Sequence, residues 1–204
     1  MYKTKFCIFG LQRSGTSFIE KLIALNFTCV ISNGANWKHS LDYVDTFTSF
    51  NIYKNPYTWV ESVIFRDPAD ILLTHPHLLS GERSEKIGHD SVNLRELCKL
   101  YNTYCNNWLE HDDVTVVKYE DIIQEKTRNV FLDSLLPIFE SRNHGQYMVP
   151  APGSLFMSEG FSNDMLQYYV NQKPTRLSRE NIEVVNQNIS NDVFEKLGYE
   201  KLDV

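Results

Sequence analysis

The turn Gly10-Leu11-Gln12-Arg13-Ser14-Gly15-Thr16-Ser17 constrains this chain more than any other segment. Ahead of it the apolar run 5–9 reads as a buried strand, ended by Gly10. Behind it Phe18, Ile19, Leu22, Ile23 and Leu25 recur at helical spacing and predict a helix over 17–25. Two glycines with four residues between them let a strand pass into a helix while successive backbone N–H groups turn toward one point. The helix N-terminus adds its positive dipole end, and Thr16 and Ser17 add hydroxyl donors. Arg13 supplies a positive charge inside the turn. Such a turn asks for a phosphate-bearing ligand.

The remainder alternates strand and helix signals. Strands are expected over 27–31, 50–53 and 114–117. Pro56 suits the first turn of a helix that carries Trp59, Val60, Val63 and Ile64 inward. Further helices are expected over 92–109 and about 126–139, 164–171 and 179–197. This alternation predicts an α/β fold in three layers, α/β/α, around a central, mostly parallel sheet. With 204 residues and no repeat or linker, 1–204 reads as one domain. Two stretches, 67–90 and 143–158, read as loop or lid insertions.

Charge narrows the ligand. Lys and Arg number 20 against 26 Asp and Glu, a net charge of −6, which speaks against nucleic acid as a partner. An anion site on this chain must be locally basic. The apolar run at the front is too short for a signal segment, and 22–37 is too polar to span a bilayer. A cytoplasmic protein with no membrane partner is expected. Cys7, Cys29, Cys98 and Cys105 form no CxxC pair and are expected as free thiols, with Cys98 and Cys105 on one helix face.

Where a Walker A loop carries its lysine, this chain has Thr16, and the cation sits at Arg13 instead. The anion-binding backbone is kept and the positive charge is moved. In this form the loop resembles that of sulfotransferases using 3′-phosphoadenosine 5′-phosphosulfate (PAPS), whose [KR]-S-G-T-[TS] loop holds the 5′-phosphosulfate. The residues here are Arg13-Ser14-Gly15-Thr16-Ser17, similar to the branch that includes tyrosylprotein sulfotransferases. A second motif of that family, R-N-P with a serine eight residues after the arginine, is matched by Lys54-Asn55-Pro56 and Ser62. Lys for Arg keeps the charge and gives up the bidentate fork. Tyr119-Glu120-Asp121 resembles the family's strand-end Y-E-D, and Leu197-Gly198-Tyr199 its C-terminal L-G-Y. The family's R-K-G loop has no counterpart; Lys173, Arg176 and Arg179 are the cations on hand to replace it. The likeness is good over 1–66, fair over 114–123 and 178–200, and poor over 67–110 and 140–176.

The resemblance implies a P-loop NTPase-like fold and a sulfotransferase with PAPS as co-substrate and no metal. A sulfuryl group would pass to a hydroxyl or amine of a small-molecule, glycan or peptide acceptor. Arg13, Ser14, Gly15, Thr16 and Ser17 would hold the 5′ end, and Lys54 and Ser62 the 3′-phosphate. Transfer also needs a base for the acceptor's proton. His39, after the second strand, is the candidate, because imidazole titrates near neutrality and the family places a K-T-H here. Lys38 would face the sulfuryl oxygens. Glu20, Asp42, Asp45 and Glu61 are the alternative bases, each with a simpler reading as a solvated acid. His75, His77 and His89 read as loop histidines, Trp59 and Trp108 as core, and Trp37 as a pocket residue. Two other readings stay open: a P-loop nucleoside or nucleotide kinase, and a non-catalytic nucleotide-binding module of the same fold.

Overall fold

The structure, a computed structural model, describes residues 4–32, 38–43, 48–65, 92–143, 146–150 and 174–204. The expected strand and helix at the front are β1 (Thr4–Gly10) and α1 (Thr16–Asn26). They are followed by β2 (Phe27–Ile31), β3 (Thr48–Tyr53) and α2 (Pro56–Phe65). Next come α3 (Leu94–Leu109), β4 (Val114–Lys118), α4 (Tyr119–Ile123) and α5 (Glu125–Leu135). The chain closes with β5 (Glu140–Ser141), α6 (Arg179–Asn188) and α7 (Asn191–Leu197).

The five strands form one sheet in the order β4-β3-β1-β2-β5. The β1 strand pairs parallel with β2 and β3, and β3 pairs parallel with β4; only β5 runs antiparallel, along β2. The period of two along β1 sorts its side chains between two cores. Phe6 and Ile8 pack with the apolar residues of α1, α4 and α5, whereas Cys7 and Phe9 pack with those of α2, α3, α6 and α7. Both faces of the sheet are thus covered by helices, an arrangement compatible with the three layers expected. This is why β1 reads as a continuous apolar run rather than an alternating one.

Three departures from the sequence reading have local causes. The helix expected over 179–197 is two helices. Ser190 lies between them in extended backbone, and its hydroxyl accepts from the Val193 N–H, so it starts a new helix instead of continuing the old one. The helix expected to reach 139 stops at Leu135, and Glu140–Ser141 then pairs with Phe27 and Thr28. Tyr119–Ile123 is a one-turn helix set directly on the end of β4. The helix expected over 164–171 and the insertion 67–90 lie outside the described residues, as does most of 143–158.

All four cysteines are free thiols. Cys98 and Cys105 both face the core from α3, and burial pushes the Cys98 thiol up to about 12 and the Cys105 thiol up as well. Neither has the ionised, accessible sulfur that reactivity requires. Trp59 and Trp108 are fully buried, as expected. Among the described residues no helix is long and apolar enough to cross a membrane.

Candidate anion-binding site at the strand ends

From β1 the chain moves to β2 on one side and then returns to β3 on the other. Helices starting from the carboxyl ends of β1 and β3 therefore diverge and leave a crevice between them, the usual ligand position in open α/β sheets. The register pairs Gly10 with Ile52, so the two strands end within one residue of each other. The two motifs singled out in the sequence begin at these two ends: Gly10–Ser17 after β1, and Lys54–Ser62 after β3.

The first loop is shaped by two glycines and one strained residue. Arg13 has φ 70 and Gly15 φ 97, both in the left-handed region. A Cβ on Gly15 would lie 2.2 Å from the Tyr119 ring, and one on Gly10 would lie 2.5 Å from Ser14 Oγ and 3.0 Å from the Ile52 carbonyl oxygen. No larger residue fits at either place. Left-handed residues alternating with ordinary ones turn neighbouring N–H groups to one side, the geometry of an anion nest. Helices α3, α6 and α7 each begin with a side chain that accepts from a first-turn N–H, but α1 begins at Gly15 with no side-chain cap and no acid in its first turn. The Phe18 and Ile19 N–H groups both go to the Gly15 carbonyl, at 3.0 and 3.3 Å. Ser14 is 2% exposed, and its buried Oγ has no hydrogen-bond partner among the described residues. A buried hydroxyl without a partner is costly, and a bound acceptor oxygen would supply one.

The second corner is built from side chains. Lys54 is only 3% exposed, and its Nζ donates to Ser62 Oγ at 2.5 Å. Ser62 in turn donates to the Thr58 carbonyl at 2.7 Å. The spacing of eight residues between Lys54 and Ser62 thus becomes a contact, because α2 turns back across the strand end. Asn55 starts that helix by accepting from the Tyr57 N–H at 3.0 Å. The Lys54 ammonium also lies 5.6 Å from the Tyr119 ring centre, a cation–π distance. Tyr119 therefore touches both corners, since it also covers Gly15.

Behind Lys54 stands a buried carboxylate. Glu120 is 1% exposed; Oε1 accepts from the Asn55 N–H at 2.9 Å and Oε2 from the Tyr199 hydroxyl at 2.8 Å. Burial pushes this carboxyl up, while those hydrogen bonds and the Lys54 charge pull it partly back. The Tyr101 hydroxyl donates to the Lys54 carbonyl at 2.7 Å from α3. The two corners are fastened to each other by Trp59, whose Nε1 on α2 donates to the Gln12 carbonyl in the loop at 2.9 Å.

Lys38 and His39 sit beside the first loop. The Gly10 N–H donates to the Lys38 carbonyl at 3.0 Å, and His39 Nδ1 meets the Gly10 carbonyl oxygen at 2.5 Å. A carbonyl only accepts, so Nδ1 carries a proton, and a neutral His39 has its lone pair on Nε2. The Lys38 ammonium donates to Ser17 Oγ at 3.1 Å and pairs with Glu20 at 3.3 Å. The segment is held from α3: Trp108 Nε1 donates to the Ser40 carbonyl at 3.2 Å and Asn107 to the Leu41 carbonyl at 3.0 Å.

The structure thus gathers Arg13, Ser14, Gly15, Thr16, Ser17, Lys38 and His39 around one strand end, and Lys54 with Ser62 at the next. Among the alternative bases, Glu20 is taken up by Lys38 and Glu61 by Thr175, whose N–H it accepts at 2.9 Å. Asp42 is exposed and accepts from Asn107 at 3.5 Å. Asp45, Trp37, Lys173, His75, His77 and His89 lie outside the described residues. Arg176 and Arg179 are described, and both are exposed. Sequence reasoning noticed Y-E-D and L-G-Y without giving them a role; the structure joins them through Glu120 and Tyr199. It gave no role to Tyr101 and read Trp59 only as core. No signal short of the packing itself could have found their bonds to the Lys54 and Gln12 carbonyls. No family model, no curated protein and no solved structure matches this chain.

Proposed function

We propose that the chain is a sulfotransferase that takes the sulfuryl group from PAPS and passes it to a hydroxyl or amine of a small-molecule, glycan or peptide acceptor. With this reading goes a P-loop NTPase-like fold. One observation carries it: a buried lysine hydrogen-bonded to a serine eight residues on, at the end of β3, stands beside a lysine-less anion loop at the end of β1. Two separated anion sites suit a nucleotide phosphorylated at both ends. The Ser14 hydroxyl, the α1 amides and Arg13 would receive the 5′ end, and Lys54 with Ser62 the 3′-phosphate.

In the reaction the bond from sulfur to the 5′-phosphate oxygen breaks and the acceptor oxygen bonds to sulfur. The acceptor's proton passes to His39 Nε2, and the bisphosphate nucleotide leaves with the electron pair. With Nδ1 donating to the Gly10 carbonyl, Nε2 is the basic nitrogen of a neutral His39. Arg13 and Lys38 offset charge gathering on the leaving oxygen and the sulfuryl oxygens.

The kinase reading lacks support at Thr16, where a triphosphate-binding lysine would stand. A thermal-shift measurement separates the two. Stabilisation by 3′-phosphoadenosine 5′-phosphate without metal supports the sulfotransferase; stabilisation only by ATP with Mg²⁺ overturns it. Transfer of labelled sulfuryl groups tests the chemistry. His39→Ala should lower turnover about 10²- to 10⁴-fold and leave nucleotide affinity unchanged. Normal turnover by that variant would remove His39 from the mechanism.

A further inference from the structure

We infer that Glu120 and Tyr199 are positioning residues for the 3′-phosphate corner: the buried carboxylate, itself fixed by the tyrosine hydroxyl, holds the Lys54-Asn55 turn so that the lysine ammonium meets its phosphate beside Ser62. This rests on the sulfotransferase reading above.

A lysine on a strand end has many rotamers, and an ammonium in a buried pocket is costly unless an opposite charge faces it. Glu120 answers both needs. Its Oε1 takes the Asn55 N–H, which fixes the peptide that follows Lys54. Its charge acts on Lys54, whose ammonium donates to Ser62 Oγ. Glu120 is free to do this because Tyr199 donates to Oε2 from beyond the end of α7. Both carboxylate oxygens accept, and bonds donated to them favour the ionised acid. Tyr199 is itself fixed: it lies in the core of α2, α3, α6 and α7, with the Lys118 ammonium 5.1 Å from its ring centre. The end of the chain thereby sets the aim of a residue in the first third of the sequence.

The test measures binding of 3′-phosphoadenosine 5′-phosphate and of adenosine 5′-phosphate by calorimetry, for the full chain and for Glu120→Gln and Tyr199→Phe. The quantity read is the preference for the bisphosphate. Glu120→Gln should reduce that preference about tenfold and Tyr199→Phe about threefold, with affinity for the monophosphate unchanged. In a Lys54→Met background neither change should reduce it further, because both act through the lysine. A role in stability alone would weaken both nucleotides equally, and that result overturns the inference, as does an unchanged preference or additivity with Lys54→Met. Should Glu120→Gln fail to fold, Tyr199→Phe decides by itself. If the unaltered protein shows no preference for the bisphosphate, the sulfotransferase reading falls and takes this inference with it. A preference that both variants retain overturns the positioning role alone.

Discussion

The two candidate anion corners are made in opposite ways. The loop after β1 is mostly backbone: a residue at φ 70, a glycine at φ 97, uncapped helix amides and a buried serine hydroxyl with no described partner. The corner after β3 is mostly side chain, with Lys54, Ser62, Glu120, Tyr199 and Tyr101 joined by hydrogen bonds. Among the described residues, the first leaves the Ser14 hydroxyl unmet, while the second is already satisfied. A ligand gains most at the first by supplying what is missing, and at the second by fitting a charge already in place. Substitutions should therefore act differently at the two ends.

Of the substitutions within the two corners, Arg13→Ala should have the largest effect, lowering turnover with labelled donor about 10²- to 10³-fold, as removal of a transition-state charge partner does. A loss confined to nucleotide affinity would make Arg13 a ground-state contact and level the two corners. Lys54→Met should weaken binding of the 3′-phosphorylated nucleotide about 10- to 100-fold and spare the dephosphorylated one, the scale of a charged hydrogen bond. Equal weakening of both would count against a separate 3′ corner.

Alkali should expose the core on which the second corner rests. Tyr53, Tyr101, Tyr104 and Tyr199 are buried on this side of the sheet, and burial raises each phenol above its ordinary value of 10.0. The unfolded chain then ionises first, binds fewer protons than the folded one, and gains as pH rises. Above about pH 10 each such phenol should cost about 1.4 kcal/mol of stability per pH unit. Phenolate absorbance should rise together with loss of ellipticity in one step; early ionisation without unfolding would contradict the burial.

Ser14→Ala should have a smaller effect than either and the most telling sign. Removing a buried hydroxyl without a partner should leave the melting temperature of the free protein unchanged or higher, yet weaken nucleotide binding about 5- to 10-fold. The corresponding change at a satisfied group, Tyr101→Phe, should lower stability by about 1 kcal/mol.

Much of this was legible because period and punctuation agree. Phe6 to Phe9 could pack on both faces only as a central strand, and Gly10 and Gly15 announced a turn that no other residue can make. The pairing of Lys54 with Ser62 was legible through the resemblance, in the spacing of its second motif. The sheet order was not, because nothing local says on which side of β1 a strand will settle. Glu140–Ser141 shows the limit: two polar residues form a strand only because the β2 edge is there to pair with. The role of Glu120 was hidden for a similar reason. Its partners Asn55 and Tyr199 lie 65 and 79 residues away, and only the packed fold brings them together.

The bond from the Trp59 indole to the Gln12 carbonyl carries one more consequence. It links the loop to the helix that bears Ser62 and so restrains the gap between the corners. On the sulfotransferase reading the crevice measures its guest. A dinucleotide too long, or a monophosphate too short, would engage one end and leave the other in water, and selection would follow from the span before any contact with the base is made.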